Sequence, residues 1–131
     1  MSTDINILLK SLETQRETGD RQGEGTTLNN ISNIYQAQGD YDTALDYLHK
    51  SLEIQREIED KVGMCATLFN MGHIHLNKED EQQAVAYWVG VYAIAKGIND
   101  AEALSALEDL AKELGCKGLT IWESLAQQVS E

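Results

Sequence analysis

Apolar residues recur along the chain at intervals of three and four. Leu28, Ile31, Ile34 and Tyr35 do so on one segment, and Ala44, Leu45, Leu48 and Leu52 on the next. That spacing gathers them on one face of an amphipathic α-helix. The punctuation agrees: Asp20, Asp60 and Asp100 stand where helix N-caps are wanted, and Gly39-Asp40 divides one helix from the next. No stretch alternates apolar and polar for long, and no Asn-Gly hairpin turn occurs, so no strand is predicted. The pattern predicts an all-α protein of about seven helices, near residues 3–18, 21–37, 41–58, 61–77, 81–97, 101–114 and 119–130.

The pattern repeats. At an offset of 40, Lys10-Ser11-Leu12-Glu13 falls on Lys50-Ser51-Leu52-Glu53, and Gln15-Arg16-Glu17 on Gln55-Arg56-Glu57. The register continues through Asp20 and Asp60, Gly23 and Gly63, Thr27-Leu28 and Thr67-Leu68, Asn30 and Asn70, Ile34 and Ile74, Asp40 and Asp80, Ala44 and Ala84, and Tyr47 and Tyr87. A fixed period in the range of about 20 to 50 residues marks a solenoid, whose units bury their apolar faces by stacking on neighbours. The expected architecture is an α-solenoid of antiparallel helix pairs in one domain, 1–131. Residues 1–19 form the second helix of an incomplete unit, 20–59 and 60–99 are full repeats, and 100–131 is a degenerate repeat with a C-terminal cap.

These residues resemble the tetratricopeptide repeat (TPR), whose signature runs Trp-x2-Leu-Gly-x2-Tyr, then Ala-x3-Phe, then Pro. The first full unit offers Leu28-x2-Ile31-Ser32-x2-Tyr35 and Ala44-x3-Leu48, and the second Leu68-x2-Met71-Gly72-x2-His75 and Ala84-x3-Trp88. The third, Leu104-x2-Leu107-Glu108-x2-Ala111, puts a glutamate in the small-residue slot. The closing proline is missing, and Arg16, Arg56 and Lys96 stand near where the second helix would otherwise stop. The chain is therefore similar to the long, 40-residue variant of kinesin light chains, the Pins/LGN proteins and many bacterial regulators.

The array starts out of phase. The first helix matches the second helix of a unit, and its stripe of Ile5, Leu8, Leu9 and Leu12 is expected to lack its usual cover. Self-association of residues 3–18 into a homo-oligomer such as a dimer, or excision from a larger TPR protein, is the alternative to a ligand-binding role. At the other end Gly115-Cys116-Lys117-Gly118 is read as a loop. Trp122, Leu125, Ala126 and Val129 give the last helix one apolar face, that of a cap.

The resemblance also implies a site. First helices of successive TPR units line a concave groove, which by register would present Thr26, Asn29, Asn30, Asn33 and Gln36 from one unit. Phe69, Asn70, His73, Leu76 and Asn77 come from the next. A ladder of carboxamides grips the backbone of an extended peptide, and Phe69 with Leu76 supplies an apolar pocket. The subtype that clamps terminal carboxylates needs lysine and arginine. Here Asn29 takes the first lysine's slot, and the third unit offers Ser105, Ala106 and Asp109.

Composition narrows the partner. Ten Lys+Arg against 22 Asp+Glu give the 131-residue chain a net charge of −12, and it holds no proline. With 42% hydrophobic residues it is too apolar for a disordered chain. Scattered bases argue against nucleic acid and anionic membrane and favour a neutral to basic peptide. No apolar run reaches the roughly 18 residues of a membrane span, and no secretory leader is read at the N-terminus, so a cytoplasmic protein is expected. Cys65 and Cys116 fit no metal or disulfide pattern and are expected to be buried, reduced thiols.

His73 and His75, two apart on a helix, point to opposite sides rather than forming a zinc pair, and His75 takes an aromatic core slot. His49 is read as an exposed helical residue. Glu79-Asp80-Glu81 and Glu57-Ile58-Glu59-Asp60 read as solvated turns rather than calcium loops. No nucleophile elbow, phosphate loop or Cys/His constellation occurs, so neither catalysis nor a cofactor is expected.

Overall fold

The computed structural model describes residues 3–116, 118 and 120–130. Seven helices follow one another: α1 (Thr3–Thr18), α2 (Arg21–Ala37), α3 (Tyr41–Glu57), α4 (Lys61–Asn77), α5 (Glu81–Ile98), α6 (Ala101–Glu113) and α7 (Thr120–Ser130). No strand occurs among the described residues. The expected α3 and α6 end one residue earlier, and α5 runs one residue further.

One turn, used every twenty residues, makes these boundaries. Gly19, Gly39, Glu59, Glu79 and Asn99 all have φ between 57° and 80°, the left-handed conformation that ends a helix. The aspartate after each sends its N–H back five residues, to the carbonyl of Gln15, Tyr35, Gln55, His75 or Ala95, at 2.8–2.9 Å. The carboxylate of that aspartate then caps the next helix. Asp20, Asp40, Asp60, Asp80 and Asp100 accept from the N–H three residues on, at 2.9–3.3 Å. Each Asp thus closes one helix with its backbone N–H, which satisfies a C-terminal carbonyl, and opens the next with its carboxylate, which satisfies an N-terminal N–H.

The chain divides into two compact units, Met1–Thr67 and Leu68–Glu131, with the division inside α4. In the first, α2 packs on both α1 and α3. Its core gathers Ile5, Leu12, Leu28, Ile31 and Ile54, with Leu8, Ile34, Tyr35 and Tyr47 against it. Tyr35 stacks on Tyr47 with ring centres 5.6 Å apart. In the second unit His75 stacks on Tyr87 at 5.4 Å, the same pair forty residues on.

The second unit is built around two tryptophans. Trp88 and Trp122 are both 1% exposed and meet edge to face at 6.0 Å. Trp88 donates through Nε1 to the Phe69 carbonyl at 3.2 Å, and Trp122 to that of Leu107 at 2.8 Å. Gly72 is required beside Trp88, since a Cβ there would overlap the indole. Ser32, wholly buried, takes the corresponding slot opposite the smaller Leu48. Helix α7 packs on α5. Of its expected apolar face Trp122 is buried and Leu125 and Ala126 are half-buried. The side chain of Val129, and Lys117 in the preceding loop, lie outside the described residues.

Candidate peptide-binding faces

On α2, Thr26, Asn30 and Asn33 are exposed together, at the three- and four-residue spacing of one helix face, and Gln36 is half-buried beside them. Asn29 is elsewhere. It is buried, and its Nδ2 donates to Ser51 Oγ at 3.1 Å and Thr67 Oγ1 at 2.8 Å. Expected as a groove residue, Asn29 is instead part of the interior, because it shares the face of Gly25 and Ser32, turned 100° from Asn30. On α4, Phe69, Asn70, His73 and Leu76 are half-buried and Asn77 is exposed.

His73 lies edge-on to Phe69, at 4.7 Å, and to Trp88, at 5.3 Å. Burial lowers its pKa below the ordinary histidine value, and the negative charge of Glu113 on α6 opposes that shift only partly. The imidazole on this face is therefore neutral at pH 7. His75 points to Tyr87, so the two histidines face different ways.

The apolar stripe of α1 is largely covered within the chain. Ile5 and Leu12, expected as self-association residues, are 1% and 4% exposed in the core formed with α2 and α3, and Leu8 packs against that core. The physical reason is that Leu28 and Ile31 of α2 and Ile54 of α3 cover this face of α1. The exposed apolar residues of α1 are Leu9 and Ile7, at 38% and 58%.

The seams between helix pairs hold polar residues that the hydropathy pattern does not reveal. Between α3 and α4, Thr67 Oγ1 donates to Gln55 Oε1 at 2.6 Å, and Ser51 Oγ donates to the Gly25 carbonyl at 2.7 Å. Asn29 joins both hydroxyls. Forty residues earlier the same trio recurs between α1 and α2: Gln15, its amide turned to suit its neighbours, donates to Thr27 Oγ1 at 2.8 Å and to the Ser11 carbonyl at 3.3 Å. Forty residues later the positions are Val91, Ala95 and Leu107, all fully buried. The signal for these residues lay in the repeat itself, since Ser, Gln and Thr recur unchanged in register.

A second polar cluster ties α1, α2 and α3. Glu24, 4% exposed, accepts from Arg16 Nε at 3.2 Å and from Arg21 Nη1 at 2.9 Å, while Arg21 also pairs with Glu57. Cys65 is buried and Cys116 half-buried, and neither is in a disulfide among the described residues. Among the described residues no group of three or more His, Cys, Asp or Glu is arranged to hold a metal. No helix among them is long and apolar enough to cross a membrane.

Helix pairs repeating every forty residues around shared seams define an α-solenoid of the helix-pair repeat class. The sequence profile of the tetratricopeptide repeat family matches residues 5–57 and 23–97, together more than half of the chain. The chain belongs to the tetratricopeptide repeat family. No curated protein sequence matches it. Tetratricopeptide repeats are protein–protein interaction modules, and the fold is in general a scaffold rather than an enzyme.

Proposed function

We propose that this protein is a non-enzymatic scaffold that binds an extended peptide segment of a partner protein. The contacts are the outward face of α2, with Asn30 and Asn33, and the face of α4 with Phe69, Asn70, His73, Leu76 and Asn77. The observation that supports this reading is the pair of exposed carboxamides on α2, one helical turn apart, on the face where the family resemblance leads us to expect a ligand. Each offers one acceptor and two donors, which suits the alternating C=O and N–H of a peptide backbone. Phe69 and Leu76 add apolar surface for a partner side chain. The net charge of −12 favours a neutral to basic segment.

Selection from a displayed library of random peptides, followed by calorimetric titration of those enriched, tests the proposal. Replacing Asn30 and Asn70 together by Ala is expected to weaken binding about tenfold, the loss of one to two hydrogen bonds, with helicity by circular dichroism unchanged. Equal affinity of the double variant for every enriched peptide dismisses the two faces.

A further inference from the structure

Forty residues past Phe69 and His73 of α4 stand Asp109 and Glu113 of α6, so the register positions that carry rings in one repeat carry carboxylates in the next. Both pairs lie within the second compact unit. Glu113 is close enough to His73 for its charge to act on the imidazole, and Asp109, one helical turn earlier, shares that side of α6. Both carboxylates are exposed. Neither forms a hydrogen bond or ion pair with a described residue, and Lys112, the cation of α6, is taken by Glu108 at 3.5 Å. His73 does not neutralise them either, because burial keeps its ring uncharged at pH 7.

Paired carboxylates alone define nothing, since Glu13 and Glu17 stand exposed at the same spacing on α1. What sets α6 apart is the half-buried aromatic surface across from Glu113. Phe69 and His73 meet edge-on at 4.7 Å, and His73 is braced in turn by Trp88, 5.3 Å away and 1% exposed. An organic cation gains from both parts, because a ring attracts it through its π face and a carboxylate through charge. Arginine uses both at once: its flat guanidinium lies on a ring while its edge forks onto a carboxylate. We propose that the α4 and α6 faces together read an arginine side chain of the bound segment, its guanidinium resting on Phe69 and pairing with Asp109 and Glu113. The assignment rests on the peptide-binding reading above and adds a side-chain identity to it. The net charge of −12 attracts any basic segment at long range, whereas this subsite selects one residue and so fixes where the segment sits.

Peptides enriched from a displayed random library on the full chain are synthesised in two forms, with arginine and with citrulline, its uncharged isostere, in its place. The enriched peptides are expected to share an arginine whose exchange for citrulline weakens calorimetric affinity about tenfold. Against a chain carrying Asp109→Asn and Glu113→Gln, exposed positions whose exchange leaves helicity by circular dichroism unchanged, the two forms are expected to bind alike. A control chain carrying Glu13→Gln and Glu17→Gln loses the same charge and is expected to keep the tenfold difference. Peptides without a shared arginine, or a citrulline penalty that survives in the α6 variant, overturn the subsite; if those peptides still lose affinity to Asn30→Ala with Asn70→Ala, the scaffold reading stands without it. A penalty lost equally in the control chain also overturns the subsite, by leaving only the long-range field. A library that yields no binder takes down both.

Discussion

Glu59 and Glu79 occupy the left-handed turn position that Gly19 and Gly39 fill in the first two turns, at φ of 57° and 64°. A residue with a Cβ is strained there by about 1–2 kcal/mol, part of which glycine gives back through its greater freedom in the unfolded chain. Glu79→Gly is therefore expected to stabilise the protein by about 0.5–1 kcal/mol, read as a higher urea midpoint at unchanged slope. At His73 the dependence is on pH. Its folded pKa lies below the ordinary value of about 6.5, so the unfolded chain takes up the proton first. The neutral ring's stability is complete above about 6.5 and is lost as the pH falls from there toward the folded pKa. Compared with His73→Phe, the native protein is expected to lose unfolding free energy between pH 7.5 and 5. Parallel pH profiles for the two would contradict it. Residue-scale chemistry of this kind was only half legible in the sequence. The aspartate caps announced themselves, but left-handed glutamates have no local signature, because nothing in a Glu-Asp pair distinguishes a strained φ from a helical one.

At the scale of elements, the seams between helix pairs follow two chemistries. Ser11, Gln15 and Thr27 make the first seam and Ser51, Gln55 and Thr67 the second, while Val91, Ala95 and Leu107 stand in the third. A buried hydroxyl that donates to one amide and accepts from another cannot be replaced singly without leaving both stranded. Thr67→Val is expected to cost about 1–3 kcal/mol, measured by chemical unfolding, although it preserves shape and adds apolar surface. A loss under 0.5 kcal/mol would mean that Gln55 and Asn29 find other partners. Here the sequence misled, since hydropathy assigns glutamine, threonine and asparagine to solvent. Asn29 shows how fine the boundary is. One position along α2, a turn of 100°, separates a carboxamide tied to Ser51 and Thr67 from the exposed one at Asn30. The helices themselves were legible almost to the residue because each turn carries its own aspartate cap.

For the whole molecule, 22 acidic residues against ten basic ones set the terms on which ligands arrive. Association with a basic peptide is expected to slow about tenfold between 50 and 500 mM salt as the field is screened, with dissociation changing much less, in stopped-flow measurements. A salt-independent rate would remove the long-range field from the account. The forty-residue period and the family signature were visible without coordinates. The covering of Ile5 and Leu12 was not, because burial of a stripe depends on which neighbour reaches it, and periodicity reports only that a stripe exists.

The change of seam chemistry along the chain also makes the order of the repeats matter. A helix edged with Ser and Gln mates with a threonine, and one edged with Val and Ala mates with a leucine, so the joints behave like differently keyed connectors. Duplicating residues 20–59 in tandem joins like to like and leaves every key matched. Exchanging α6 for α4 would seat Thr67 against valine and alanine. In this array the amide seams act as an address that tells each repeat where it belongs.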